Sequence, residues 1–134
     1  MTLPIIAGGL CLLAFGVHTF VGTREFQHFR PGADAAEKPK EAWVQSLAGW
    51  QVVSVELLSV SILLLLIGTT SMVPNPGWVL GAIAIYFASA GTTWLATVLA
   101  WGHNRPRLIW TLGQWLFFYL IAILSGLSSL WHAN

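Results

Sequence analysis

The sequence predicts an all-α fold, an integral membrane four-helix bundle with antiparallel neighbours, and three observations carry that expectation. Of its 134 residues, 56% are hydrophobic and 8% are charged, against roughly 25% charged in an ordinary soluble domain. The apolar residues gather in four stretches of about 20 residues, the length a helix needs to cross a hydrocarbon core of about 30 Å. Turn-forming segments separate the stretches. At this length a single transmembrane domain covering residues 1–134 is expected. The formal charge of +1, with no basic stripe, argues against a nucleic-acid partner. Cys11 is the lone cysteine, so no intrachain disulfide forms.

The first span runs over roughly 3–22. It lacks a basic leading region and runs into a polar helix exit instead of an A-x-A cleavage site, so it is expected to remain as a span and not be removed as a signal peptide. Ala7, Cys11, Ala14, His18, Val21 and Glu25 share one face at heptad spacing, small residues first and then an imidazole and a carboxylate. Residues 23–46 form the long polar loop, holding Arg24, Arg30, Lys38 and Lys40 with Glu25, Asp34, Glu37 and Glu41. Its tail, Glu37 to Trp43, reads as the start of an amphipathic helix lying at the interface. The second span covers roughly 47–68. Pro74, Asn75, Pro76 and Gly77 then make a tight turn into the third, roughly 78–101. Asn104, Arg105 and Pro106 turn the chain into the fourth, roughly 108–131. Turns this short imply antiparallel neighbours.

All six Lys and Arg residues fall on one side, four in the long loop and then Arg105 and Arg107. The positive-inside rule makes that side cytoplasmic and both termini non-cytoplasmic, as in a multi-pass protein of a bacterial inner membrane. Trp43, Trp101 and Trp110 at the basic boundary, with Trp78 and Trp131 at the other, suit an aromatic belt. In span three, Gly81, Ala84, Ala88, Gly91, Leu95, Val98 and Gly102 alternate at three and four, a seam for close helix approach, beside a face with Ser89, Thr92, Ala96 and His103. Span four sets Arg107, Gln114, Ile121 and Ser128 on one face.

Larger polar residues at membrane depth are the candidate site. From the basic boundary, at ~1.5 Å per residue, His18, Gln51 and Gln114 lie about 7 to 10 Å in, and Glu56 with Thr92 or Thr93 about 15 Å in. Gln51 and Gln114 are placed to fix the tautomer of His18, and Thr92 or Thr93 to bond Glu56. A carboxylate at that depth is a functional-site hypothesis by default, either protonated or paired with His18. Trp50, Trp94 and Trp115 near this tier are placed to line a slot for a quinone, lipid or pigment tail. A bis-histidine haem on His18 and His103 would need an outward shift of span three, since the two lie at unequal depths. Glu25 and His28, at i and i+3, can share an ion if the helix continues past Gly22, with His103 as a third ligand. A di-iron centre wants two such pairs, and the chain offers one. No nucleophile-base pair, phosphate loop or cysteine cluster is present, so no catalytic residue is assigned and the cofactor is left open.

The run His18-Thr-Phe-Val-Gly-Thr-Arg-Glu25 with Pro31 resembles the H-x-x-x-G-G-R-E…P signature of a group of small, uncharacterised four-span bacterial membrane proteins, with Thr23 for the second Gly. Trp50, Gln51 and Ser54 stand where that group has W-H-x-x-T, and Gly113-Gln114-Trp115 where it has P-Q-W. Gln51 for His keeps a hydrogen-bonding group but removes a possible metal ligand, and Gly113 for Pro loosens the entry of span four. The resemblance implies the architecture and the choice of His18, Glu25, Gln51 and Gln114, without supplying a reaction.

Three functions remain open at this level. The first is a non-enzymatic accessory or packing subunit of a larger membrane assembly, with the bilayer and other membrane subunits or further copies of itself as partners. The second is a protein binding or transferring a proton or a lipophilic cofactor (quinone, haem, lipid or pigment) through His18 and Glu56. The third is a membrane enzyme acting on a lipid or quinone.

Overall fold

The computed structural model describes residues 2–102 and 105–133. The described residues are all helix and turn: α1 Thr2–Gly16, a π-helical turn Val17–Gly22, α2 Thr23–Gln27, α3 Glu37–Thr69, α4 Pro76–Trp101, α5 Arg105–Thr111 and α6 Gln114–Ala133. Four stretches are long and apolar enough to cross a membrane: Thr2–Gln27, Glu37–Thr69, Pro76–Trp101 and Gln114–His132. The chain divides into two compact units, one of residues 8–63, the other of residues 1–7 with 64–134.

In the first unit the chain before residue 28 runs antiparallel to α3. Ser61 donates to the Gly8 carbonyl at 2.8 Å, Trp50 to the His18 carbonyl at 3.2 Å, and Trp43 to the Phe26 carbonyl at 3.5 Å. The polar loop is shorter than the composition indicated, because helix extends to Gln27 and resumes at Glu37. Helix does begin at Glu37, as expected, but it runs on into the second span without a boundary. Glu37–Thr69 is a single helix of 33 residues, since nothing between the two parts breaks the hydrogen-bond ladder and Pro39 falls within the first turn, where proline is tolerated.

The π-helical turn re-phases the first helix. The Thr23 N–H bonds to the His18 carbonyl, five residues back, so this turn holds one residue more than an α-helical turn. Upstream of it the predicted face holds, with Ala7 and Cys11 fully buried. Downstream it moves by one: Val21 is 53% exposed, and Gly22 lies against Trp50 instead. Glu25 is exposed and Phe26 turns inward to stack on Trp50 and Trp43, with ring centroids 5.7 and 6.1 Å apart.

In the second unit α4 and α6 pack antiparallel along the predicted small-residue seam. A Cβ on Gly81 would lie 3.3 Å from Ser129 Oγ, one on Gly126 3.6 Å from Ala84 Cβ, and one on Gly91 3.2 Å from Phe118 Cβ. Ser129 donates to the Gly77 carbonyl at 2.8 Å, and the hydroxyls of Thr92 and Tyr119 share a hydrogen bond at 2.9 Å. The turn into α4 has Asn75 in the left-handed conformation, φ 50° and ψ 54°, with Pro76 opening the helix, consistent with the tolerance of Asn for that region.

Span four departs from the expectation of one continuous helix. The helix stops at Thr111 and restarts at Gln114 across Leu112 and Gly113. A helix end leaves its last carbonyls without partners along the chain, and two indoles fill the need: Trp115 donates to Ile109 at 2.9 Å and Trp94 to Leu112 at 3.2 Å. The predicted stripe is accordingly buried from Ile121 through Ser128, while Arg107 and Gln114, flanking the break, are exposed.

Candidate functional site

The polar and aromatic side chains of residues 18–54 converge on the π-helical turn. His18 lies flat on Trp50, with ring centroids 3.8 Å apart and planes 11° from parallel. Its Nδ1 shares a hydrogen bond with Ser54 Oγ at 3.0 Å. The ring is thereby held on one face by the indole and at one nitrogen by a hydroxyl, leaving Nε2 as the atom for further chemistry. Ser54 is only 3% exposed, and it sits one helical turn after Trp50, so one stripe of α3 supplies both contacts.

The His18 carbonyl is a second focus. It accepts from Trp50 Nε1 at 3.2 Å and from Thr23 Oγ1 at 3.5 Å, besides the Thr23 backbone N–H. Gln51 Nε2 in turn donates to Thr23 Oγ1 at 3.1 Å. Such a chain gives the widened turn side-chain support where α-helical bonds are missing. Gly22 is required beside it, because any Cβ there would run into the Trp50 ring.

The predicted residues are thus partly gathered. His18, Trp50 and Gln51 share one cluster, but Gln51 serves Thr23 and not the imidazole, whose partner is Ser54. Serine was missed as the orienting group because a serine in an apolar helix ordinarily spends its hydroxyl on the carbonyl one turn back, as Ser59 does on Val55 at 2.8 Å; Ser54 keeps such a bond to the Trp50 carbonyl at 3.5 Å and also meets His18 Nδ1. Glu56 lies on the exposed side of α3 with Val52, Val55 and Ser59, whereas Ser54 and Leu57 are buried. Thr92 is engaged with Tyr119 and the Ala88 carbonyl. Gln114 is exposed at the start of α6, and Trp115 spends its indole N–H on the end of α5.

Of the proposed metal ligands, Glu25 and His28 are both exposed at the end of α2, and His103 lies outside the described residues. Among the described residues no group of three His, Cys, Asp or Glu side chains is placed to hold an ion. Of the belt tryptophans, Trp78, Trp101, Trp110 and Trp131 are 73–85% exposed, while Trp43 is stacked on Phe26. No protein-family model, curated protein or solved structure matches this chain.

Proposed function

We propose that the chain is a multi-pass protein of a bacterial inner membrane, with both termini on the non-cytoplasmic side, acting as a non-enzymatic accessory subunit that packs against a helix of a larger membrane assembly. The observation that carries this reading is a shallow apolar groove of about 510 Å³ along α1 and the π-helical turn, bordered by Leu12, Leu13, Val17 and Val21. Its floor is Gly9 and Gly16, one heptad apart, and a Cβ on either would meet nothing within 4 Å. Glycines at that spacing let a second helix backbone approach closely, which is how helices associate where lipid removes the hydrophobic drive.

The test is replacement of Gly9 and Gly16 by Leu, which fills the floor without adding charge. The tagged chain, extracted in mild detergent and examined by native mass spectrometry, is expected to carry stoichiometric larger subunits that the double variant loses. A bare chain in both cases overturns the reading.

One observation favours a second reading, binding or transfer of a proton or lipophilic cofactor at His18. The imidazole is fixed by both Trp50 and Ser54, and π-helical turns are frequent at functional sites. His18→Ala separates the two: retained assembly with loss of a co-purifying small molecule or of proton movement supports the second, and loss of the partner subunits supports the first.

A further inference from the structure

A cavity of about 360 Å³ lies between the loop after α2 and the first turns of α3, lined by Arg30, Pro31, Ala33, Lys40, Trp43 and Val44 among others. The Arg30 guanidinium stands over the Trp43 ring, 5.6 Å from its centroid. Held on an aromatic face, the guanidinium keeps its N–H edges for a planar or tetrahedral oxyanion. Lys40 adds a second cation. It pairs with Glu37 at 3.2 Å, the lysine side chain being 35% exposed and the carboxylate's 82%, and an ion pair with so solvated a carboxylate holds its ammonium weakly. The rest of the lining is apolar. Two cations in the lining of an otherwise apolar cavity, one of them over a tryptophan, match an amphipathic anion better than a fully hydrated one.

We propose that this cavity binds the phosphate of an anionic lipid headgroup, with Arg30 as the principal contact and Lys40 as the second, and the glycerol and upper acyl carbons against Pro31, Ala33 and Val44. The assignment rests on the membrane reading above and is independent of the packing role. Basic residues near a bilayer surface each add about five-fold to anionic-lipid affinity, and the cavity confines that effect to one place. The lipid contributes by tying the loop to the bilayer where α3 begins.

The probe is the full chain in mild non-ionic detergent, examined by native mass spectrometry with added dioleoyl phosphatidylglycerol or dioleoyl phosphatidylcholine at equal concentration. Phosphatidylglycerol is expected to be retained over phosphatidylcholine. Arg30→Gln should lower its occupancy about five-fold, with Arg24→Gln, a charge change outside the cavity, and Arg30→Lys lowering it much less. Equal losses in the Arg30→Gln and Arg24→Gln variants, or equal retention of both lipids, overturn the proposal. Displacement of phosphatidylglycerol by excess inorganic phosphate overturns the lipid assignment in favour of a free-anion site. Retention of neither lipid overturns the proposal and leaves the membrane reading standing, whereas recovery of the chain in the soluble fraction of lysed cells without detergent overturns the membrane reading itself, so the two failures are distinguishable. Should Arg30→Gln lose helical content, Lys40→Gln replaces it, and unchanged phosphatidylglycerol occupancy there overturns the proposal.

Discussion

Replacing Trp50 tests whether the π-helical turn is held by ring contact or by a hydrogen bond. The indole stacks on His18 at 3.8 Å and on Phe26 at 5.7 Å, and donates to the His18 carbonyl at 3.2 Å. Trp50→Phe keeps an aromatic face and removes the N–H. A polar contact between membrane helices averages about 0.6 kcal/mol and reaches about 1.7. The carbonyl still accepts from Thr23, so the loss belongs near the lower figure. Trp50→Ala removes the ring as well. Full truncation of a buried aromatic costs about 3–5 kcal/mol, and half-burial brings this to about 2–3 kcal/mol. The expected order is therefore a loss of about 0.6 kcal/mol for Phe and about 2–3 kcal/mol for Ala, read by equilibrium unfolding in mixed micelles followed by helical circular dichroism. A Phe variant as destabilised as the Ala variant would show that the N–H dominates and refute the stacking argument. An Ala variant within about 0.5 kcal/mol of wild type would show that the cluster adds little to stability.

Two further outcomes follow from the second unit. Gly91→Leu places a branched side chain where a single Cβ already lies 3.2 Å from Phe118; overpacking of about 1–3 kcal/mol is expected, and an unchanged unfolding midpoint would show that α4 and α6 are not in register along the seam. Gly113→Ala is expected to stabilise by about 0.4–1 kcal/mol, since Gly113 does not have positive φ and the new Cβ would meet only the Trp110 carbonyl at 3.4 Å; a loss in the same unfolding assay would show that the break depends on glycine's freedom.

The four helices were legible because a chain 56% apolar with 8% charge leaves few alternatives, and because proline and asparagine mark the turn at Asn75. The α4 seam was legible for a related reason: glycine and alanine at helical spacing have one common use, close approach, and Gly81 and Gly91 are found against α6. The site was only partly so. His18 stands out by its residue type, but its partner depends on the rotation of α3, which periodicity does not fix; the sequence points to Gln51, Gln114 and Glu56, and only the fold brings in buried Ser54 while leaving Glu56 exposed. The break at Leu112 was missed because Gly113 by itself does not end a helix. It costs about 1 kcal/mol there, and what makes the break tenable is the pair of indoles, from Trp94 and Trp115, that meet the freed carbonyls.

The surplus residue in the turn from Val17 to Gly22 means that this helix has two angular origins. Counting from the N-terminus at the usual period puts Glu25 inside and Phe26 outside, and the chain does the reverse. The turn works as a vernier: upstream residues answer to one alignment with α3, and downstream residues to another offset by about 100°. A length change of one residue within that segment is therefore a change of gearing more than a change of length. It decides whether a carboxylate or a phenyl ring looks toward Trp43, while Cys11 and everything before it stay where they were.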